Sequence, residues 1–133
     1  MIVKCIAQPQ VCGMATSDFG FELSERTELF PASVGRLYRP LAMQIRGSSD
    51  GVEYYFLILE RHDRVDEVAL SYIESEHFEI ISKAIDTDWV MLATNKYDLA
   101  LGLEVVSNLE QVHEKILSRD QSLLQELTRR SIL

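Results

Sequence analysis

Two stretches of the chain gather side chains able to exchange protons or hold a cation. The first, 60–67, carries Glu60, His62, Asp63, Asp66 and Glu67. An imidazole among carboxylates has the composition of a divalent-metal site or an acid–base pair. Arg61 and Arg64 are interleaved with it, however, and oppose a cation, so the stretch reads as a charged loop with local ion pairs. The second stretch, 74–79, carries Glu74, Glu76, His77 and Glu79. On a strand, the neighbours Glu76 and His77 point to opposite faces, which weakens a joint catalytic role. Taken together, Asp63, Asp66, Glu67, Glu74, Glu76 and Glu79 make an acidic set suited to an Arg/Lys-rich surface on a partner. These six are the candidate partner-binding residues.

No other pattern of catalytic type is present. The chain has no G-x-S-x-G, no phosphate-binding glycine loop and no H-E-x-x-H. Its two cysteines, Cys5 and Cys12, form no C-x-x-C pair and have no histidine nearby, so they read as reduced thiols, one of them packed as a small apolar group. The expectation is a protein without catalytic residues, metal or cofactor. Tyr54 and Tyr55 face opposite ways on a strand, one into the core and the other free to anchor a partner. Trp89 reads as core, and His113 as a surface residue of a helix.

The elements that position these residues follow from hydrophobic periodicity. Residues 52–60 (VEYYFLILE) hold six consecutive apolar or aromatic side chains behind the turn former Gly47-Ser48-Ser49-Asp50-Gly51. So short a run, rich in β-formers, predicts a strand buried on both faces. Residues 37–46 are its antiparallel hairpin partner across a five-residue loop. Within 35–46, Pro40 marks an edge position or a bulge. Further strands are predicted at 2–7, 77–81, 88–94 and 99–106, the last with Leu101, Leu103 and Val105 on one face. The register of 67–72 is unsettled. Phe19 and Phe21 are expected in the core, 24–30 forms at most one helical turn before Pro31, and 95–98 turns the chain. From Ser107 the period changes to about 3.6. Leu109, Val112, Ile116, Leu123 and Leu127 share a stripe that Asp120 interrupts, which predicts helices at 108–118 and 119–130. Ser107 or Asn108 caps the first, and a Ser118/Gln121 capping box starts the second.

Strands first and helices last predict an α+β fold: a curved antiparallel sheet or small open β-barrel with two C-terminal helices packed against it. At 133 residues, 47% hydrophobic and 26% charged, the chain reads as one globular domain, 1–133. Its 13 basic and 21 acidic residues leave a formal charge of −8, which repels nucleic acid and attracts a basic partner. There is no secretory-type N-terminus and no run of about 20 apolar residues, so the expectation is a cytoplasmic protein that does not engage membranes, as a monomer or homodimer.

The middle of the chain resembles a group of small bacterial proteins, several of them immunity or immunity-like proteins of toxin systems. The resemblance runs through Gly35-Arg36-Leu37-Tyr38, Leu41-Ala42-Met43, Gly51, Tyr54-Tyr55-Phe56-Leu57-Ile58, Ser75-Glu76-His77-Phe78-Glu79-Ile80 and Asp88-Trp89. In that group G-x-x-Y opens one strand, Y-Y-x-L-I forms the next and S-x-x-F-E-I closes the sheet. This chain departs from it in having Glu60-Arg61-His62-Asp63 where Asp-Asp or Asp-Gly follows the central strand, and in lacking a proline near the closing strand. The resemblance therefore implies fold and class, and no binding residue. The expected function is a non-catalytic interaction domain, an immunity-type inhibitor that meets a basic toxin domain through an acidic face. The competing readings are a phage or mobile-element structural module working as a homo-oligomer, and a small hydrolase or metal-dependent enzyme using His62 or His77.

Overall fold

The computed structural model describes residues 1–9, 31–62, 67–94 and 98–132. Cys12, Phe19, Phe21, the single helical turn expected at 24–30, Asp63, Asp66 and most of the turn at 95–98 lie outside the described residues.

The fold is α+β, with antiparallel strands and two C-terminal helices. The strands are β1 (Ile2–Cys5), β2 (Leu37–Tyr38), β3 (Ala42–Ser48), β4 (Gly51–His62), β5 (Glu67–Glu74), β6 (Phe78–Ser82), β7 (Val90–Thr94) and β8 (Asp98–Gly102). They form two sheets, one ordered β2-β1-β6 and the other β5-β4-β3-β8-β7, instead of the single curved sheet or open barrel expected. The division falls at Pro40. Tyr38 pairs with Val3 in the small sheet, whereas Leu41 already donates to Leu57 O at 2.9 Å and Ala42 pairs with Leu57 in the large one. A residue with no N–H and a fixed φ cannot continue a ladder, so the segment read as one disturbed strand becomes two strands in different sheets.

The β3–β4 hairpin is tighter than its sequence suggests. Ser48 pairs with Gly51, which leaves Ser49-Asp50 as a two-residue turn, and Gly51 takes a φ of +130°, a conformation side chains avoid. Beyond the turn β4 is exposed as far as Tyr54, and then residues 56–60 are buried without a break. Alternation sends these residues to two different cores. Leu57 and Leu59 pack with Leu41, Leu70, Leu103 and the helical stripe, while Phe56 and Ile58 pack with Val3, Cys5, Tyr38, Ile73 and Phe78. In the second core Phe78 meets Phe56 and Tyr38 edge-on, with ring centroids 5.8 and 6.3 Å apart. The molecule is thus layered as helices, large sheet, small sheet, with β4 in the middle.

β5 is a regular strand where the sequence pattern was unsettled, and it runs into a 3-10 turn at Ser75–His77 before β6. The strand expected at 99–106 stops at Gly102. Glu104–Val106 is a 3-10 turn, so Val105 points out, 39% exposed, and Val106 takes the buried place. The helices are α1 (Leu109–Leu117) and α2 (Gln121–Ser131). Asn108 caps α1, its side chain accepting from Gln111 N at 3.1 Å. Asp120 caps α2 in the same way through Leu123 N, in place of the predicted Ser118/Gln121 box. Arg119 enters the left-handed region with φ 58°, which reverses the chain and frees Asp120 for the cap. His113 is not a surface residue: it is 8% exposed, and its Nε2 donates to the Leu70 carbonyl at 3.0 Å, fastening α1 to β5. Trp89 packs against the helical core, as expected. Among the described residues no helix is long and apolar enough to cross a membrane.

β8 packs tightly on β3 at Gly102. A Cβ there would stand 2.4 Å from Ala42 Cβ, 2.6 Å from Ala42 Cα and 2.7 Å from Leu41 O. Two of these three atoms are backbone and cannot step aside. Gly102→Ala is expected to destabilise the fold by about 2–3 kcal/mol, measured by urea unfolding; a change within the roughly 0.5 kcal/mol typical of a surface substitution would show the contact to be slack.

Candidate functional site

Of the six candidate partner-binding residues, the fold brings Glu74 and Glu76 together and joins a third carboxylate to them. Glu74 closes β5 opposite Tyr55 of β4. Glu53 lies two residues before Tyr55 on the same face, and Tyr55 Oη donates to its Oε2 at 2.8 Å. Arg46, paired with Glu53 across the hairpin, stacks its guanidinium over the Tyr55 ring at 5.1 Å. Glu76 stands in the 3-10 turn that follows β5, where it and His77 share a side: His77 Nε2 is 3.8 Å from Glu76 Oε1, and Nδ1 donates to the Ala7 carbonyl at 3.0 Å. This corrects the expectation that the two residues face opposite ways on a strand.

The electrostatics of this group are set by carboxyls in contact. The Glu74 carboxyl is held above its ordinary value, first by a hydrogen bond shared with Glu76, then by desolvation and by repulsion from Glu76 and Glu53, with His77 acting the other way. The Tyr55 hydroxyl is raised as well, chiefly by its hydrogen bond to Glu53.

The remaining candidates stand elsewhere. Glu67 opens β5 and Glu74 ends it, so roughly 23 Å of strand separates them at about 3.3 Å per residue. Glu79 lies on β6 in the other sheet, directly opposite Lys4 of β1. A further pair of carboxylates borders a groove of about 430 Å³ along α1, lined by Leu109, Glu110, His113, Glu114 and Leu117.

Glu60 is the residue that the sequence reading misplaced most. It is a strand residue, not a loop residue, and it is 1% exposed. Its Oε1 accepts from Arg36 Nη1 and its Oε2 from the Tyr38 hydroxyl, while Ser33 adds hydrogen bonds from backbone and side chain. Tyr38 Oη in turn accepts from Ser33 N at 2.8 Å. Burial nevertheless pushes the Glu60 carboxyl above its ordinary 4.5, the Arg36 charge and the hydrogen bonds only partly offsetting the loss of water. A signal was available: Glu60 shares parity with Phe56 and Ile58, so alternation along β4 sends it inward with them. Because Glu60 is sealed from solvent, its position suits holding β2 to β4 rather than meeting a substrate. Cys5 beside it is fully buried, its thiol raised by desolvation and donating to the Ala7 carbonyl at 3.6 Å, the condition of an unreactive thiol. Among the described residues no three of His, Cys, Asp and Glu converge in a way that could hold a metal ion.

Comparison with protein families, with characterised proteins and with solved structures finds no match to this chain.

The Glu60 environment predicts a pH signature. A carboxyl whose folded pKa is raised binds its proton more tightly in the native state. Its stabilising effect is therefore complete below 4.5 and fades as pH rises through the higher folded value. Relative to Glu60→Gln, the parent protein should gain stability on acidification through that window and none below it. At neutral pH Glu60→Gln should lie within about 1 kcal/mol of the parent, and Glu60→Ala, which strands Tyr38 and Ser33, should lose about 2–3 kcal/mol. Urea titrations across pH check this; parallel pH profiles for the parent and Glu60→Gln would contradict it.

Proposed function

We propose that this protein is a non-catalytic binding domain of the immunity type, which covers a basic region of a toxin domain with the carboxylates of Glu53, Glu74 and Glu76. The observation that supports this reading is that Glu76 and Glu53 gather about Glu74, beside Tyr55, and hold its carboxyl above the ordinary value. Such a group gains most from a cation that arrives from outside, because an arriving guanidinium or ammonium relieves repulsion already present in the free protein. The formal charge of −8 steers a basic partner toward the molecule over distances longer than the contact itself. Tyr55, half-buried and held by Glu53 and Arg46, offers a rigid aromatic surface beside the acids. Charge, not a pocket, is what this site presents.

Linkage then sets the pH dependence. A partner cation favours ionised Glu74, so binding should release a proton where Glu74 is still partly protonated, and affinity should fall as pH drops through the raised Glu74 pKa toward 4.5. The test is a calorimetric titration against the product of the neighbouring reading frame. Binding is expected to weaken with added salt, and Glu74→Lys/Glu76→Lys should weaken it by at least about tenfold. Absence of binding, or equal affinity for parent and double variant, would sink the reading.

A further inference from the structure

α1 does more than cover the large sheet. Val112 and Ile116 pack into the helical core, and His113 is fastened to the Leu70 carbonyl. Beside these runs the groove of about 430 Å³, whose described lining comes from α1 alone. Leu109, His113 and Leu117 stand four residues apart and make one ridge along the helix. Glu110 and Glu114, one position round, make a second ridge beside it. The first ridge spans about 12 Å at 1.5 Å per residue, a little over two turns. Leu117 is 52% exposed and Leu109 half-buried, while the bond to Leu70 fixes His113 between them. Both glutamates are exposed, and among the described residues neither has an ion pair.

From this groove we infer a docking site for a short basic amphipathic helix of another protein. Apolar side chains of that helix lie along Leu109, His113 and Leu117, and its lysines or arginines reach Glu110 and Glu114. The charge pattern selects this occupant. Two carboxylates about 6 Å apart along the axis flank an apolar ridge, and cations flanking an apolar ridge of the same period answer them. Anchors at i, i+3 or i+4, and i+7 of the incoming helix span about 10 Å, which the ridge accommodates. A groove that follows one helix, with its acids along one side, suits a rod laid beside that helix; a compact ligand is better held by a pocket that closes around it. A second copy of this chain is the poorer occupant. A twofold contact through α1 sets Glu110 and Glu114 against their own counterparts. The cations in the last turn of α2 are already engaged, Arg130 by Asp86 and Asp88, and Arg129 by Glu126. The formal charge of −8 repels a like molecule and draws a basic segment in.

This site does not rest on the carboxylates of Glu53, Glu74 and Glu76. Leu70, where His113 fastens α1, is four residues of β5 from Glu74, about 13 Å at 3.3 Å per residue. The experiment is fluorescence anisotropy of the full chain against a labelled synthetic peptide of about 16 leucines and lysines, the leucines three and four apart on one face and the lysines flanking them. Thermal melts confirm that each variant is folded. The parent is expected to bind saturably, one to one, with a dissociation constant below about 100 µM, and the peptide's helical circular dichroism should rise on binding. Glu110→Lys/Glu114→Lys should weaken binding at least about tenfold. Glu110→Gln/Glu114→Gln, which keeps side-chain size and the helix, should weaken it at least about threefold, and so should Leu117→Ser. Glu74→Lys/Glu76→Lys alters the net charge equally and should stay within about threefold of the parent. A parent that fails to bind saturably would overturn the inference. So would groove variants that bind as the parent does, or an equal loss in the two lysine double variants, which would show net charge alone at work.

Discussion

A strand buried on both sides keeps no face for water, and residues 56–60 of β4 are in that position. Every other element is arranged by what those five residues require. Leu57 and Leu59 need cover on one side, and the stripe Val112, Ile116, Leu123 and Leu127 supplies it. Phe56 and Ile58 need cover on the other, and β1, β2 and β6 supply that through Val3, Cys5, Tyr38 and Phe78. Two small cores are thereby joined through one backbone. A change at β4 is felt in both, because protein interiors are close-packed and transmit strain.

The same constraint accounts for the buried carboxylate. Alternation along β4 carries Glu60 into the layer between the sheets, where a charge cannot stand without partners. Arg36 and Tyr38 meet that need from the segment just before Pro40, at which the chain changes sheets. The ion pair and the proline act on one joint: the proline ends β2's ladder, and Glu60 anchors β2 where it ends. Arg36 remains 47% exposed, so the pair is solvated from one side only, and desolvation of Glu60 outweighs the attraction.

The surface divides into regions of different character. At one end of β4 and β5, Glu53, Glu74 and Glu76 gather beside Tyr55, with Arg46 stacked over its ring. On the small sheet the row Leu37–Lys4–Glu79 sets one cation beside one anion.

The sequence by itself determined the elements whose pattern is local. The VEYYFLILE run had to be a strand, buried on both sides over its second half, a glycine-bounded turn had to return the chain beside it, and the change of period at Ser107 had to begin a helix. Asp120, read as a break in an apolar stripe, does divide two helices, as the cap of the second. Tertiary structure decided what depends on partners distant in the chain. Whether Pro40 was a kink or a change of sheet turned on where Tyr38 and Ala42 found their hydrogen bonds. Whether Glu60 was solvated turned on β2 lying across it, and whether His113 was exposed turned on the Leu70 carbonyl beneath it. Glu74 and Glu76 were legible as acids, but their meeting with Glu53 depends on the β4–β5 register, which a run of side chains does not encode until a neighbouring strand supplies the hydrogen bonds that set it.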